Sequence, residues 1–154
     1  TLLKLERGEI SPFPQSDSEA TYASLIQKSD YLLDWSHSAK ALHDRIRGFF
    51  PNCVATFRGK SLKIISTVPL GPQYCAGGLP PDYQTLAKDW PNLSTLTGSP
   101  GEVVKVVKNM GAIVQTGDGL LLLNQVQLAG KRAQSGWDFA NGTRLKPGDK
   151  IDNG

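Results

Sequence analysis

Apolar residues recur with two different periods along this chain, and the change from one to the other divides it. Ala39, Leu42, Ile46 and Phe49 fall at i, i+3, i+7 and i+10, the spacing that puts side chains on one stripe of an α-helix. Lys40, His43, Asp44 and Arg47 fall mostly off that stripe, so His43 is expected on the exposed side. Ser36, following Asp34-Trp35, is the expected N-cap, and Pro51 the expected stop. Beyond Pro51 the pattern is strand-like. Cys53–Phe57 and Leu62–Val68 flank Arg58-Gly59-Lys60-Ser61, a hairpin signal. Glu102–Val107 is rich in β-branched residues, Asn109-Met110-Gly111 reads as a turn, and Ala112–Thr116 as another strand. Gly117-Asp118-Gly119 is a tight turn into a long strand, Leu120–Leu128.

Other stretches are less periodic. Leu2, Leu3 and Leu5 precede Gly8, a helix C-cap signal, and Ser11-Pro12-Phe13-Pro14-Gln15 favours an extended linker. Pro69 to Pro100, with Gly71-Pro72, Gly77-Gly78 and Pro80-Pro81, is expected to be irregular except for a short helix around Asp82 to Lys88. So long a stretch reads as an insertion, at about 73–99. Ser135 is expected to cap a short helix, Gly136 to Asn141, that buries Trp137 and Phe139 and ends at Gly142. Leu145 to Ile151 reads as a turn and a last edge strand. One main helix ahead of about five short antiparallel strands gives the expected fold class: mainly β with one or two helices, as a small closed or partly open β-barrel.

Composition narrows the function classes. The 154 residues are 39% hydrophobic and 20% charged, which is the composition of a soluble globular domain. The longest aliphatic run, Leu120–Leu123, is far short of the ~20 residues needed to span a bilayer. No basic-then-apolar leader opens the chain, so a cytoplasmic location is expected. The first residue is Thr1, which reads as a processed or excised piece. Cys53 and Cys75 lack metal-ligand neighbours and are expected as free thiols, with a disulfide the minority reading. His37 and His43 have too few partners for a zinc site. Gly117-Asp118-Gly119 lacks the third glycine and the following helix of a nucleotide loop. There is no P-loop, no H-E-x-x-H and no nucleophile elbow, and no carboxylates cluster near a histidine. No catalytic residue is therefore assigned.

Charge changes the picture. Net charge is +3, from 17 basic and 14 acidic residues. Residues 1–30 hold 3 basic and 5 acidic side chains, −2, and residues 31–154 hold 14 and 9, +5. The basic positions of the body are Arg45 and Arg47 on the helix; Arg58, Lys60 and Lys63 around the first hairpin; and Lys105 and Lys108 around the valine-rich strand. Lys131 and Arg132 follow the long strand, and Arg144 and Lys146 the short helix. Two readings stand: a solvated surface, or a groove that follows nucleic-acid phosphates. Trp35, Phe49, Phe50 and Trp137 are either core residues or platforms on which bases stack.

Three stretches together resemble the methionyl-tRNA formyltransferase family. The first is Ala20-Thr21-Tyr22-Ala23, Asp34-Trp35-Ser36 and Ile46-Arg47-Gly48-Phe49. The second is Thr116-Gly117-Asp118-Gly119-Leu120 with Gln127-Leu128-Ala129-Gly130-Lys131. The third is Asp138-Phe139, Asn141-Gly142 and Arg144-Leu145-Lys146-Pro147-Gly148. Leu128 stands where the family usually has proline, and Asn52-Cys53 replaces Trp-Pro. The resemblance implies the family's carboxy-terminal domain, an oligonucleotide-binding-type barrel. Residues 1–20 would be the end of the catalytic half and the linker, and 21–154 the barrel domain. It implies that the parent enzyme passes the formyl group of 10-formyltetrahydrofolate to initiator methionyl-tRNA. It further implies that the transfer residues and the folate lie in an amino-terminal half, so that this chain binds no cofactor and positions the tRNA. The residues expected to contact tRNA phosphates are Arg47, Lys131, Arg132 and Arg144, in a chain expected to act as a monomer with its own catalytic half as a partner. Another folate-dependent formyltransferase or hydrolase, or a purely structural packing domain, are the alternatives.

Overall fold

The computed structural model describes residues 6–8, 21, 22, 24–77 and 79–154. Among the described residues there are six strands: β1 (Val54–Phe57), β2 (Lys60–Leu70), β3 (Val103–Val107), β4 (Gly111–Gln115), β5 (Leu120–Leu128) and β6 (Gln134–Ser135). Helical segments that accompany them among the described residues are α1 (Ala39–Gly48), α2 (Pro72–Gly77), α3 (Gln84–Lys88), α4 (Trp90–Leu93) and α5 (Gly136–Thr143). Single 3-10 turns occur at Lys28–Tyr31 and Pro81–Tyr83. The strands pair antiparallel in the order β1-β2-β5-β4-β3. β4 covers β5 only from Leu120 to Leu123, which leaves the same edge free at Gln125 and Val126, where β6 pairs. The expected mainly β fold class is borne out.

The run Leu120–Leu123 is buried on both faces of the sheet. Leu121 and Leu123 join the principal core with Trp35, Leu42, Ile46 and Phe139. Leu120 and Leu122 point the other way, into a second cluster with Leu70, Leu79, Leu86 and Leu93. A strand covered on both sides reads as a continuous apolar run instead of an alternating one. The second cover comes from the 73–99 segment. Expected as largely irregular, it forms three short helices and a 3-10 turn, which bury their leucines against the far face of β2, β4 and β5. Its helical piece at 82–88 is where the sequence indicated.

The carboxy-terminal tail forms isolated bridges and not the expected edge strand. Lys150 bridges Glu102 beside β3, and Asp152 bridges Thr56 of β1. The Val103 N–H donates to Asp149 O at 2.8 Å, and Thr56 and Asp152 exchange a pair of bonds at 3.0 and 2.8 Å. The tail thus bonds to both edges of the five-strand path, which would otherwise present unpaired backbone.

Local capping departs from the sequence reading at three places. α1 begins at Ala39, with Ser38 as its N-cap accepting from the Ala41 N–H at 3.2 Å. Ser36 does not cap it, because the helix begins three residues further on; the Ser36 N–H is held by Asp34 Oδ1 at 3.0 Å in a turn that buries Trp35. α1 also stops at Gly48, ahead of Pro51. In α5, Ser135 is the N-cap as expected, accepting from Asp138 N at 3.0 Å. Gly142 lies inside that helix, and Arg144 takes the left-handed capping conformation (φ 52°, ψ 46°). Phe139 is buried and Trp137 only half-buried. Near the start of the chain, Glu6 is helical and Gly8 has φ 67°, while the Pro12–Pro14 linker lies outside the described residues. Cys53 is a buried free thiol, and burial pushes its pKa up.

Candidate nucleic-acid interface

The β1–β2 hairpin turns through Arg58 and Gly59, both at positive φ (48° and 74°), as a two-residue turn between antiparallel strands requires. Arg58 is thereby aimed back over its own strand. Its guanidinium sits 4.8 Å from the Phe57 ring centroid, donates to Thr143 O at 3.0 Å and lies 3.4 Å from Asp149 Oδ2. Thr143 O belongs to the last turn of α5, where a cation is favoured by the helix dipole. Arg58 therefore ties the hairpin to the end of α5, and Arg144 follows immediately.

The same hairpin touches the loop after β5. Ala129 N–H donates to Ser61 O at 2.9 Å, and Lys131 N–H closes a turn onto Leu128 O at 2.9 Å. Gln127 Nε2 braces the tip by donating to Lys131 O at 2.9 Å. Two chemically independent links, Ala129–Ser61 and Arg58–Thr143, thus bring three segments to one end of the molecule. That end carries Lys60, Lys131, Arg132, Arg144 and Lys146, all exposed. None of these five forms an ion pair among the described residues.

Of the four residues expected to contact phosphates, Lys131, Arg132 and Arg144 fall at this end. Arg47 does not. It projects from α1 beside Ile65, Ser66 and Thr67 of β2, some five residues along the strand from Ser61, or roughly 15–20 Å at the usual rise per residue. Arg47 is exposed and has no acidic partner among the described residues.

Several other cations are engaged in holding the fold. Arg45 Nε donates to Asp30 O at 3.0 Å, with its guanidinium 5.8 Å from the Phe49 ring centroid. Lys105 pairs with Asp89 at 2.8 Å and so ties β3 to the 73–99 segment; hydrogen bonds from Asn92 and Lys105 hold the Asp89 carboxyl below its ordinary pKa. Lys40 pairs with Asp44 one turn away on α1. Among the candidate stacking residues, Trp35 is 1% exposed, and its Nε1–H donates to Asp152 O at 3.2 Å, so it is a core residue. Phe49 packs against the core, while Phe50 is 62% exposed.

His43 was expected to face solvent. It is half-buried, with Nδ1 3.1 Å from Thr67 Oγ1 on β2. Burial, and then the Arg47 charge, lower its pKa. The signal in the sequence is a second stripe beside the apolar one: His43, Arg47 and Phe50 at i, i+4 and i+7. Among the described residues no group of His, Cys, Asp or Glu side chains could hold a metal ion, and no helix is long and apolar enough to cross a membrane. His37 faces Asp34 on the exposed surface, and His43 faces Thr67.

Comparison with known proteins gives this geometry a family. The methionyl-tRNA formyltransferase of Nostoc sp. is 59% identical over 154 residues, all of this chain and 45% of that protein. That of Trichodesmium erythraeum is 60% identical over 149 residues, 97% of this chain and 44% of that protein. The 73–99 segment lies within both aligned spans, and the chain spans less than half the length of these curated relatives. Among solved structures, HypX from Aquifex aeolicus in complex with tetrahydrofolic acid superposes with a TM-score of 0.59. It covers 97% of this chain and 23% of that one at 16% identity, a likeness of fold. The profile described as "Formyl transferase, C-terminal domain" matches residues 25–144, and the chain belongs to that family.

Proposed function

We propose that this chain is the tRNA-gripping, carboxy-terminal part of a methionyl-tRNA formyltransferase. The observation that carries the reading is the division of its cations. Arg45, Arg58, Lys40 and Lys105 are engaged within the chain, whereas Lys131 and Arg132 meet Arg144 at one end of the sheet, and none of these three forms an ion pair among the described residues. The names of the 59–60% identical relatives support a tRNA as the polyanion. In this reading Lys131, Arg132, Arg144 and, further along β2, Arg47 bind phosphates of initiator methionyl-tRNA. Phosphate contacts fix register and orientation without reading sequence.

Chemistry belongs to a preceding amino-terminal half, of which residues 1–20 are the end and the linker; 21–154 are the binding domain, with 73–99 an insertion. There the α-amino nitrogen of the methionyl group attacks the formyl carbon of 10-formyltetrahydrofolate. A C–N bond forms, the bond from the formyl carbon to N10 breaks, and the amine proton ends on N10. This chain contributes position. Binding energy gained far from the reacting atoms raises the rate by fixing their orientation. The protein works as a cytoplasmic monomer.

The test is equilibrium binding of the 154-residue chain to initiator and other tRNAs, with Arg47, Lys131, Arg132 and Arg144 each changed to alanine. The reading expects each variant to weaken all tRNAs about equally. Unchanged affinity in all four overturns it, and discrimination between tRNA species by the variants would show that these side chains reach bases.

A further inference from the structure

α1 lies along β2, and the seam between them is open. One cavity of about 480 Å³ is lined by His43, Arg47, Thr67, Val68, Tyr74 and Leu79 among others. A second, of about 450 Å³, is lined by His43, Ile46, Arg47, Phe50, Ile65 and Thr67. Both volumes lie within the ~300–1,000 Å³ typical of ligand clefts. They share His43, Arg47 and Thr67, so they are two lobes of one groove that meet at those residues.

The chemistry of the groove is that of a nucleotide and not of a purely apolar ligand. At one lobe stands Phe50, an aromatic side chain left 62% exposed. A lone exposed ring carries no meaning by itself; this one shares a cavity with a cation. Arg47 stands where the lobes join, and the one carboxylate lining the groove, Asp44, is engaged by Lys40. The net charge left over is positive, which favours an anionic occupant. The other lobe, the cavity of about 480 Å³, has an apolar wall of Val68, Pro69 and Leu79. Gln73 and Tyr74 also line it. A ring on which a base can stack, a cation for the adjoining phosphate and hydrogen-bonding groups beyond it are the parts of a single-strand binding groove.

We propose that this groove holds an unpaired nucleotide of the bound RNA, with the base against Phe50 and its phosphate on Arg47. The inference rests on the tRNA reading and refines it. Lys131, Arg132 and Arg144 hold the body of the RNA at one end, and the α1–β2 groove takes a base that is not in a helix. Arg47 then has a different task from the other three, which explains why it stands apart from them.

The experiment compares the parent chain with Phe50→Ala, Phe50→Tyr, Arg47→Ala and Arg144→Ala. Fluorescence anisotropy is read with three probes: tRNA, a single-stranded oligouridine about six nucleotides long, within the usual site size, and an RNA duplex of the same length. Phe50→Ala is expected to weaken oligouridine and tRNA by roughly 5- to 100-fold, the worth of one stacked base, and to leave the duplex unchanged. Phe50→Tyr keeps the ring and should bind like the parent. Because Phe50 is exposed, the variants should unfold at the parent's temperature. Parent-like affinity of Phe50→Ala for tRNA and oligouridine, while Arg144→Ala weakens tRNA, overturns the groove and leaves the tRNA reading standing. No effect of any variant on tRNA overturns both. A change in sedimentation of Phe50→Ala with RNA affinity intact would assign the ring to a protein contact and overturn the proposal.

Discussion

Gly117 shows how a single position joins two distant pieces of sequence. Its N–H donates to Trp35 O and His37 O at 2.9 and 3.0 Å, and the neighbouring Asp118 O accepts from Ala39 N–H at 2.8 Å. The turn therefore seats the start of α1 as well as reversing the chain. A Cβ on Gly117 would fall on the Ser36 carbonyl oxygen. Gly117→Ala should cost about 1–3 kcal/mol or more, as overpacking does, measured by chemical denaturation; a loss below about 0.5 kcal/mol, the range of innocuous surface changes, would mean the contact is dispensable. His43 supplies a residue-scale prediction in pH. Burial and Arg47 lower its folded pKa from 6.5, with Lys40 adding to them and Asp44 and the Thr67 hydrogen bond opposing. On acidification the unfolded chain takes up this proton first, so stability falls as pH drops through about 6.5 and levels off below the folded pKa. His43→Gln should flatten that part of the stability–pH curve. An identical curve in the variant would show that the imidazole does not titrate differently on folding.

Among the elements, α1 makes the clearest case for what periodicity can tell. Ala39, Leu42 and Ile46 are each 1–2% exposed, as their spacing requires, and they close the principal core over the sheet. Leu42→Ala or Ile46→Ala should cost roughly 2–5 kcal/mol in equilibrium unfolding, and near-neutral results at both would place the stripe outside the core. The strands were legible for the same reason, because β-branched and leucine-rich runs between glycine turns leave few alternatives. β5 coincides with its expected bounds. What could not be read was set by partners distant in sequence. Ser36 is a good N-cap in isolation, but the Gly117-Asp118 turn bonds the chain at Trp35, His37 and Ala39, and the helix starts after Ser38. The 73–99 stretch has short helices that hydrogen bonding alone would not sustain. They exist because Leu79, Leu86 and Leu93 find the back of β4 and β5, and no local pattern announces that surface. The tail likewise has too little ladder to read as a strand, yet it joins both sheet edges.

At the scale of the whole molecule, the sequence resemblance identified the family, and three of the four proposed phosphate contacts gather at one end. Arg47 is grouped with them in the sequence by its charge and its place at the end of the helix. Its actual neighbours, His43, Phe50 and Thr67, come from α1, the loop beyond it and β2, and only the packing of α1 on β2 assembles them. The proposed division of labour, with position here and chemistry elsewhere, predicts that the purified 154-residue chain does not formylate methionyl-tRNA when given 10-formyltetrahydrofolate; turnover by this chain alone would contradict it. The central claim, that this domain grips RNA through phosphates, is tested most directly by salt titration of tRNA binding. For the parent chain, log K should fall linearly with log salt concentration. Arg47→Ala, Lys131→Ala, Arg132→Ala and Arg144→Ala should each flatten that line by about one unit of slope, the signature of one lost phosphate contact. Parent slope and parent affinity in all four variants would contradict the account.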